Sequence, residues 1–384
     1  AGRGRLMQRL FLESVVYGLA GGTAAVLVAY WGVRMLRLLR PSDLPLLENV
    51  GINGTVLVFN LVVALVVSVL VGFVPAIRAG RVDLVAGLKG LGTGLVQVTS
   101  GRLRSLLAVT EVALALILFV GAGLMFRSFT TLSSVHPGYE PTNVLTFRVN
   151  LPATKYEGGP AQRAFYDRLR ESLDAISGVH ASGIVNQLPL DQGRFITSLA
   201  IEGRPPVEDR MNMPRASMRV TSPGFFQALG VRLVRGRGLE QSDGAGAPPV
   251  VVINEALAAR YFEDEDPLAK RIQRLGEIVG VMADVRQEGL DAEPEPELYL
   301  DYRQIPDRMA GMILATMSVA VRVDPRQDGI VQEMRRRIQE IDAELPVADL
   351  RPMSERLRDS VARPRLYAVL LGLFAGLALI LAVS

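Results

Sequence analysis

The 384-residue sequence contains no cysteine. No disulfide framework and no thiolate metal site is therefore available to it, and the redox compartment cannot be read from cysteine usage. Histidine occurs only at His136 and His180, which leaves little material for a hydrolytic triad or an imidazole metal centre. Lysine occurs only at Lys89, Lys155 and Lys270, and none of the three follows a glycine. The G-x-x-x-x-G-K-[ST] loop of a nucleotide hydrolase is thus missing. Large net charge is missing as well. Lys+Arg 42 against Asp+Glu 39 leaves +3, which implies no nucleic-acid partner.

What the sequence has instead is apolar length. Hydrophobic residues make up 49% of it, and they are concentrated in runs. The central run is Leu103–Ser128, LRSLLAVTEVALALILFVGAGLMFRS. From Leu106 to Phe126 it carries one charge, Glu111, and Arg102, Arg104 and Arg127 flank it. Roughly 20 apolar residues at about 1.5 Å rise cross the hydrocarbon core of a bilayer, so this run predicts a membrane span. Similar runs lie at about 14–33, 56–77 and 365–384. The chain begins AGRGRLMQRL, with no cleavage site after a short apolar core, and ends inside an apolar run. Both ends read as cut from a longer polypeptide.

Gly18 and Gly22 in the first run form a small-xxx-small spacing, which lets membrane helices approach closely. Tyr30 and Trp31 suit the headgroup level. Arg34, Arg37 and Arg40 predict a short interfacial amphipathic piece, broken by Pro41 and Pro45. Asn60 in the second run reads as an interhelical hydrogen-bonding residue. The segment PAIRAGRVDLVAGLKG, Pro75–Gly90, suits a short helix on the membrane surface or against a partner, and Gly90, Gly92 and Gly94 a flexible joint after it. Positive charge at Arg78, Arg81, Lys89, Arg102 and Arg104 against Asp83 places the loop 78–102 in the cytoplasm. The domain 129–362 then lies outside. Glu111, about 7 Å below the cytoplasmic surface by helix rise, is either a functional intramembrane carboxylate or an interfacial one bonded to a neighbouring helix.

Residues 129–362 alternate strand and helix patterns. Val144–Val149, His180–Val185, Ile313–Val323 and Val347–Leu350 read as strands, and Ala161–Ile176 and Gly329–Ile341 as amphipathic helices. These make two βαβ-like units of an α+β sandwich. Between them, about 189–306, sits a strand-rich insertion large enough to be a subdomain. Its predicted strands are Ile196–Ile201, Arg215–Val220, Val250–Ile253 and Glu277–Val281, and its helices Pro223–Leu229 and Glu255–Phe262. The acid run Glu263–Asp266 lacks the alternating spacing and turn glycine of a calcium loop and reads as a solvated loop. Asp291–Glu297, DAEPEPE, reads as a rigid acidic loop. Arg235–Gly238, RGRG, is either a turn or an anion site, and His180 has no triad pattern around it. No catalytic, cofactor or metal residues are predicted.

Several stretches carry a resemblance: GLMFRSFTTLSSVHPGYEPTNVLTFRVNLP, TSPGFFQALGVRLVRGRGL, VVINEALAARYFEDEDPLAKRI and EIVGVMADV. Together they resemble the extracytoplasmic domain of MacB/FtsX-type ABC transporter permeases, most closely the long duplicated orphan permeases. PAIRAGRVDLVAGLKG is similar to the segment that ends the membrane part of each half in that family. The resemblance implies a bacterial inner-membrane, multi-pass chain. Residues 1–90 would be the last two spans of a first half. Residues 103–384 would be the first span, outer domain and truncated second span of the next. It implies mechanotransmission related to efflux or export, with a separate cytoplasmic P-loop ATPase binding the ATP, a periplasmic adaptor and lipid as partners, and no chemistry in this chain. The ATPase-coupling segment would hold Arg78, Arg81, Asp83, Leu84, Leu88 and Lys89. The alternative is a membrane-anchored sensor or scaffold whose outer domain binds a ligand or protein without transport.

Overall fold

The structure is a computed structural model that describes residues 3–38, 54–81, 93–191, 193–205, 213–327 and 329–383. It divides into two compact units, Ala1–Gly123 with Val369–Ser384, and Leu124–Ala368. Helix α1 spans Arg3–Leu38, α2 Gly54–Arg81, α3 Thr93–Ser134 and α10 Ala362–Val383. Among the described residues two stretches are long and apolar enough to cross a membrane, Ala108–Ser134 and Pro364–Ala382. The first two helices carry shorter apolar stretches, Gly18–Gly32 and Gly54–Val67.

Three expectations change here. Helix α1 is unbroken through Leu38, so Arg34 and Arg37 extend the first apolar helix and do not start a separate piece. Helix α2 continues past Pro75 to Arg81; neighbouring groups in membrane helices tolerate the missing donor of a proline. Gly94 lies inside α3, while Gly90 and Gly92 fall outside the described residues. Helices α1 and α2 pack together. Gly18 and Gly22 are buried, and a Cβ at Gly22 would stand 3.3 Å from Leu61 Cδ1. The small-residue spacing thus sits where two backbones come close.

The second unit is built on one sheet of eleven strands. Its base contains β1 (Val144–Asn150), α4 (Gly158–Asp174), β2 (Val179–Val185), β10 (Thr316–Val323), α8 (Ile330–Ile341) and β11 (Val347–Pro352). The order β11-β1-β10-β2 is antiparallel at each step. Each strand–helix–strand unit therefore skips one strand, the split βαβ arrangement. Strand β10 is buried along most of its length, with valines, Ala320 and Met317 around a buried Ser318. Helix α4 buries Phe165, Tyr166, Leu169 and Leu173, and α8 buries Ile330, Met334 and Ile338. These spacings of three and four put the apolar residues on one helix face.

The insertion adds β3 (Ile196–Ser198), β4 (Arg215–Thr221), α5 (Phe225–Leu229), β5 (Leu233–Gly236), β6 (Val250–Asn254), α6 (Glu255–Tyr261), β7 (Arg271–Ile272), β8 (Gly276–Met282), β9 (Glu297–Asp301) and α7 (Asp307–Ile313). It joins the base sheet through one ladder pair, Val185 with Thr221. The strands β4-β9-β6-β8-β5 continue outward. Alternation along β6 shows why the sheet acts as one body. Val251 and Ile253 join the core that holds Phe147 and Phe165 of the base, while Val250 and Val252 join the opposite core with Val144 and Val185. Both cores run through base and insertion.

Three readings are corrected. Ile313 ends α7 and the strand begins at Thr316. Arg235 and Gly236 lie in edge strand β5, where Gly236 has φ +71 and a side chain would meet the Val279 carbonyl. The first predicted insertion strand shortens to β3, with Ile201 making a single bridge to Ile272.

Candidate functional site

Two membrane-helix candidates, α3 and α10, enter the sheet domain at roots only a short chain length from the strands. The α3 root is the turn Val135–Thr142. Gly138 has φ +88, and a Cβ there would collide with the Asp284 carbonyl. Only glycine fits such a left-handed, crowded position. The Gly138 N–H donates to His136 Nδ1 at 3.0 Å, and Arg286 N–H donates to the Pro137 carbonyl at 2.9 Å. Glu140 N–H donates to the Leu229 carbonyl at 2.8 Å. Arg322 on β10 reaches out to the same turn. It donates to the carbonyls of Ala228 at 3.0 Å, Glu140 at 3.1 Å and Thr142 at 3.4 Å. The Glu140 carboxylate accepts from the Thr142 hydroxyl and from its N–H at 3.3 Å. That hydroxyl, helped by Arg322 and His136, holds the Glu140 carboxyl below its ordinary 4.5 despite some desolvation.

The α10 root is built on charge. Helix α9 (Met353–Ser360) leads into α10, and its Arg356 side chain is only 4% exposed. Arg356 Nε donates to Thr146 Oγ1 at 2.8 Å, and Nη1 to Asp191 Oδ1 at 3.0 Å. Nη2 donates to the Asp349 carboxylate. The Thr146 hydroxyl in turn donates to the Arg351 carbonyl at 2.9 Å, Arg148 pairs with Asp191 at 2.8 Å, and Arg351 pairs with Asp359 at 2.9 Å. Asp349 sits at φ +56, a strained value for a residue with a Cβ. One guanidinium therefore ties α9 to β1, to the β2–β3 loop and to β11. A buried charge is tolerable only when paired and hydrogen-bonded in this way.

Both roots reach the same core. Tyr139 of the α3 root and Met353 of α9 are fully buried in the cluster with Val144, Phe225 and Phe226. The Tyr139 hydroxyl has no hydrogen-bond partner among the described residues, and burial pushes its pKa far up.

The sequence-predicted residues are not gathered into this site. Asn60 Nδ2 donates to the Val56 carbonyl of its own helix at 3.0 Å, beside the α1–α2 groove, so the bond seen is not an interhelical one. Glu111 is exposed on α3. Arg78 and Arg81 lie in the last turn of α2, where their side chains are not described, and Asp83, Leu84, Leu88 and Lys89 fall outside the described residues. Among the described residues no cluster of acids and histidines fits a metal ion. The run Glu263–Asp266 is ion-paired: Glu265 with Lys270 at 2.8 Å and Asp266 with Arg235 at 2.8 Å. Arg194 bridges Glu288 and Glu295 across the acidic loop. Arg237 is held bidentately by Asp243 at 2.7 and 3.0 Å and is not free to take an anion. His180 is the extra residue of a bulge in β2 and is exposed. No sequence pattern singles out Arg322, Arg356 or Tyr139. The PGY turn stands out in the sequence only as part of a longer matching stretch.

Comparison with known proteins gives this geometry a family. Residues 103–341, more than half of the chain, match the family model described as MacB-like periplasmic core domain. The periplasmic region of MacB from Actinobacillus actinomycetemcomitans is 17% identical over 56% of this chain and 91% of that one, with a TM-score of 0.36. The extracellular domain of the noncanonic ABC-type transporter YknZ from Gram-positive bacteria is 14% identical over 53% of this chain and 100% of that one, with a TM-score of 0.34. No curated protein matches the chain. Those structural likenesses are too distant to carry an argument, whereas the family match takes in the α3 root and strands β1 to β10. The chain belongs to the MacB-like periplasmic core domain family.

Proposed function

We propose that this chain is a permease component of an ABC-type export or efflux system and acts as a mechanical transmitter. A separate cytoplasmic P-loop ATPase binds and hydrolyses ATP, and helices α3 and α10 carry the resulting motion to the sheet domain outside a bacterial inner membrane. The observation that carries this reading is the shared anchorage of both roots. Tyr139 and Met353 sit in one core, and Arg322 and Arg356 clamp the two connections to adjacent strands β10 and β1. Rods fixed so firmly move the domain they enter and do not slide past it, because packed cores switch between discrete states and do not deform smoothly.

In this reading α1 and α2 are the last two spans of a first permease half, α3 opens the second half, and α10 is its next span. The parent is a duplicated permease without a fused ATPase. The segment Arg78–Gly90 is the ATPase contact, and a periplasmic adaptor meets the outer domain. The 189–306 insertion is the second subdomain of that outer domain. Purification of the intact protein from gently solubilised membranes tests the reading. A stoichiometric P-loop ATPase, lost when residues 78–90 are scrambled, supports it. Recovery of the protein without any ATPase in several mild detergents overturns it in favour of an anchored sensor or scaffold.

A further inference from the structure

A cleft of about 410 Å³ opens at the seam between base and insertion, within the roughly 300–1,000 Å³ of small-molecule sites. Arg170 and Asp174 of α4 and His180 and Ser182 of β2 form one wall, and Gln227 of α5 and Gln241 after β5 the other. Because the sheet and both cores continue across this seam, the two walls are fixed with respect to each other. The cleft is a preformed recess and not a gap between loosely joined parts.

Its acids are already committed. Ser182 Oγ donates to Asp174 Oδ1 at 2.6 Å, and Glu240 is engaged in the capping box of the turn Gln241–Asp243. Its donors are not. Arg170 reaches Asp174 Oδ2 only at 3.4 Å and Gln241 Oε1 at 3.2 Å, both at or beyond the long end of a good hydrogen bond. Its buried Nε has no partner among the described residues. The side chains of His180 and Gln227 are exposed and make no hydrogen bond to the described residues. Arg303, which also touches Gln241, is spent on Asp301 and on the carbonyls of Glu240 and Gln241. The under-satisfied guanidinium of Arg170 is completed by acceptor oxygens, the Gln227 amide and the His180 imidazole can each donate beside it, and the planar fork of arginine matches a carboxylate.

We propose that this cleft binds a small solute bearing a carboxylate, held by Arg170 with His180 and Gln227 at its flanks. The site is independent of the transmitter reading. The test uses the full chain in lipid nanodiscs, titrated calorimetrically with succinate, L-glutamate and inorganic phosphate, with choline chloride as the ionic-strength control. At least one carboxylate binds saturably and choline chloride does not. Arg170→Gln abolishes the binding. Gln227 is exposed, so charge changes there leave folding intact. Gln227→Glu weakens binding about tenfold and Gln227→Lys tightens it about threefold, as expected for one charge a few ångströms from a bound anion. Arg336→Gln, on the exposed face of α8, leaves it unchanged. The proposal is overturned if neither carboxylate saturates, if phosphate alone binds, or if both Gln227 variants bind like the parent protein.

Discussion

The two membrane-helix candidates, α3 and α10, have roots held to one sheet by opposite chemistry. The α3 root is held by neutral acceptors: its Glu140 and Thr142 carbonyls gripped by Arg322, a glycine that alone fits its turn, and a buried tyrosine. The α10 root is held by an ion cluster in which Arg356 meets Asp191 and Asp349 with a threonine between. Carbonyl contacts are many and individually weak, so the first root yields gradually when one is lost. A buried guanidinium is harder to replace, because removing it leaves Thr146 without its donor, Asp191 with Arg148 alone and Asp349 with Arg351 alone. Under the proposed transmitter function, uneven stiffness of this kind gives one firm rod and one compliant rod.

The sharpest way to break the comparison is Arg356→Ala. Loss of the central charge of a buried cluster costs roughly 3–5 kcal/mol, read as a lowered midpoint in denaturant unfolding of the purified protein. Arg356→Lys recovers part of this, because one ammonium cannot reach Thr146, Asp191 and Asp349 together. A cost under about 1 kcal/mol for the alanine variant would show that the cluster is an ordinary surface network.

Next in size is Gly138→Ala. A Cβ there meets the Asp284 carbonyl at a left-handed backbone position, so about 2–3 kcal/mol is lost through strain and displacement. The expected structural sign is faster hydrogen exchange at Tyr139 and Glu140, with the amides of β11 unchanged. Arg322→Ala follows at about 1.5–3 kcal/mol, the range for hydrogen bonds from a charged donor. If Arg322→Ala costs as much as Arg356→Ala, the contrast between a graded root and one that is harder to replace fails.

Much of this architecture is legible in the amino-acid sequence, and the part that is not has physical reasons. The apolar runs and the amphipathic helices α4 and α8 declare themselves by period, and so do β1, β2 and β10. Strand β9 does not. Its sequence ELYLD begins and ends with acids that look solvated, yet all five residues are buried. Glu297 is paired there with Arg219 at 3.2 Å and Asp301 with Arg303 at 2.6 Å. Glu297, neutralised by Arg219 of β4, has no local signature, and Asp301 with Arg303 two residues on reads like an exposed turn pair. Arg356 is hidden for the same reason. In SERLRDS it looks like any exposed helical arginine, and only the sheet brings Thr146 and Asp191 to it. Glycines at left-handed positions are equally silent, since glycine alone does not announce the carbonyl that crowds it.

The smallest effect separates the roots by acidity. Glu140 is held below its ordinary 4.5 chiefly by the Thr142 hydroxyl. A carboxylate with a lowered folded-state pKa binds protons less readily folded than unfolded. Its contribution is therefore complete above about 4.5 and disappears as pH falls through the lower folded value. The group is mostly exposed, so the effect is a few tenths of a kcal/mol after solvent screening. Hydrogen exchange at Thr142 and Asn143, followed downward from pH 4.5, should show protection lost in the parent protein and already reduced at every pH in Glu140→Gln. The Arg356 cluster lies outside this turn and keeps its protection in Glu140→Gln at each pH. If the amides of α9 loosen together with those of Thr142 in that variant, the two roots are one cooperative unit, and the compliant rod and the firm rod are not separate devices.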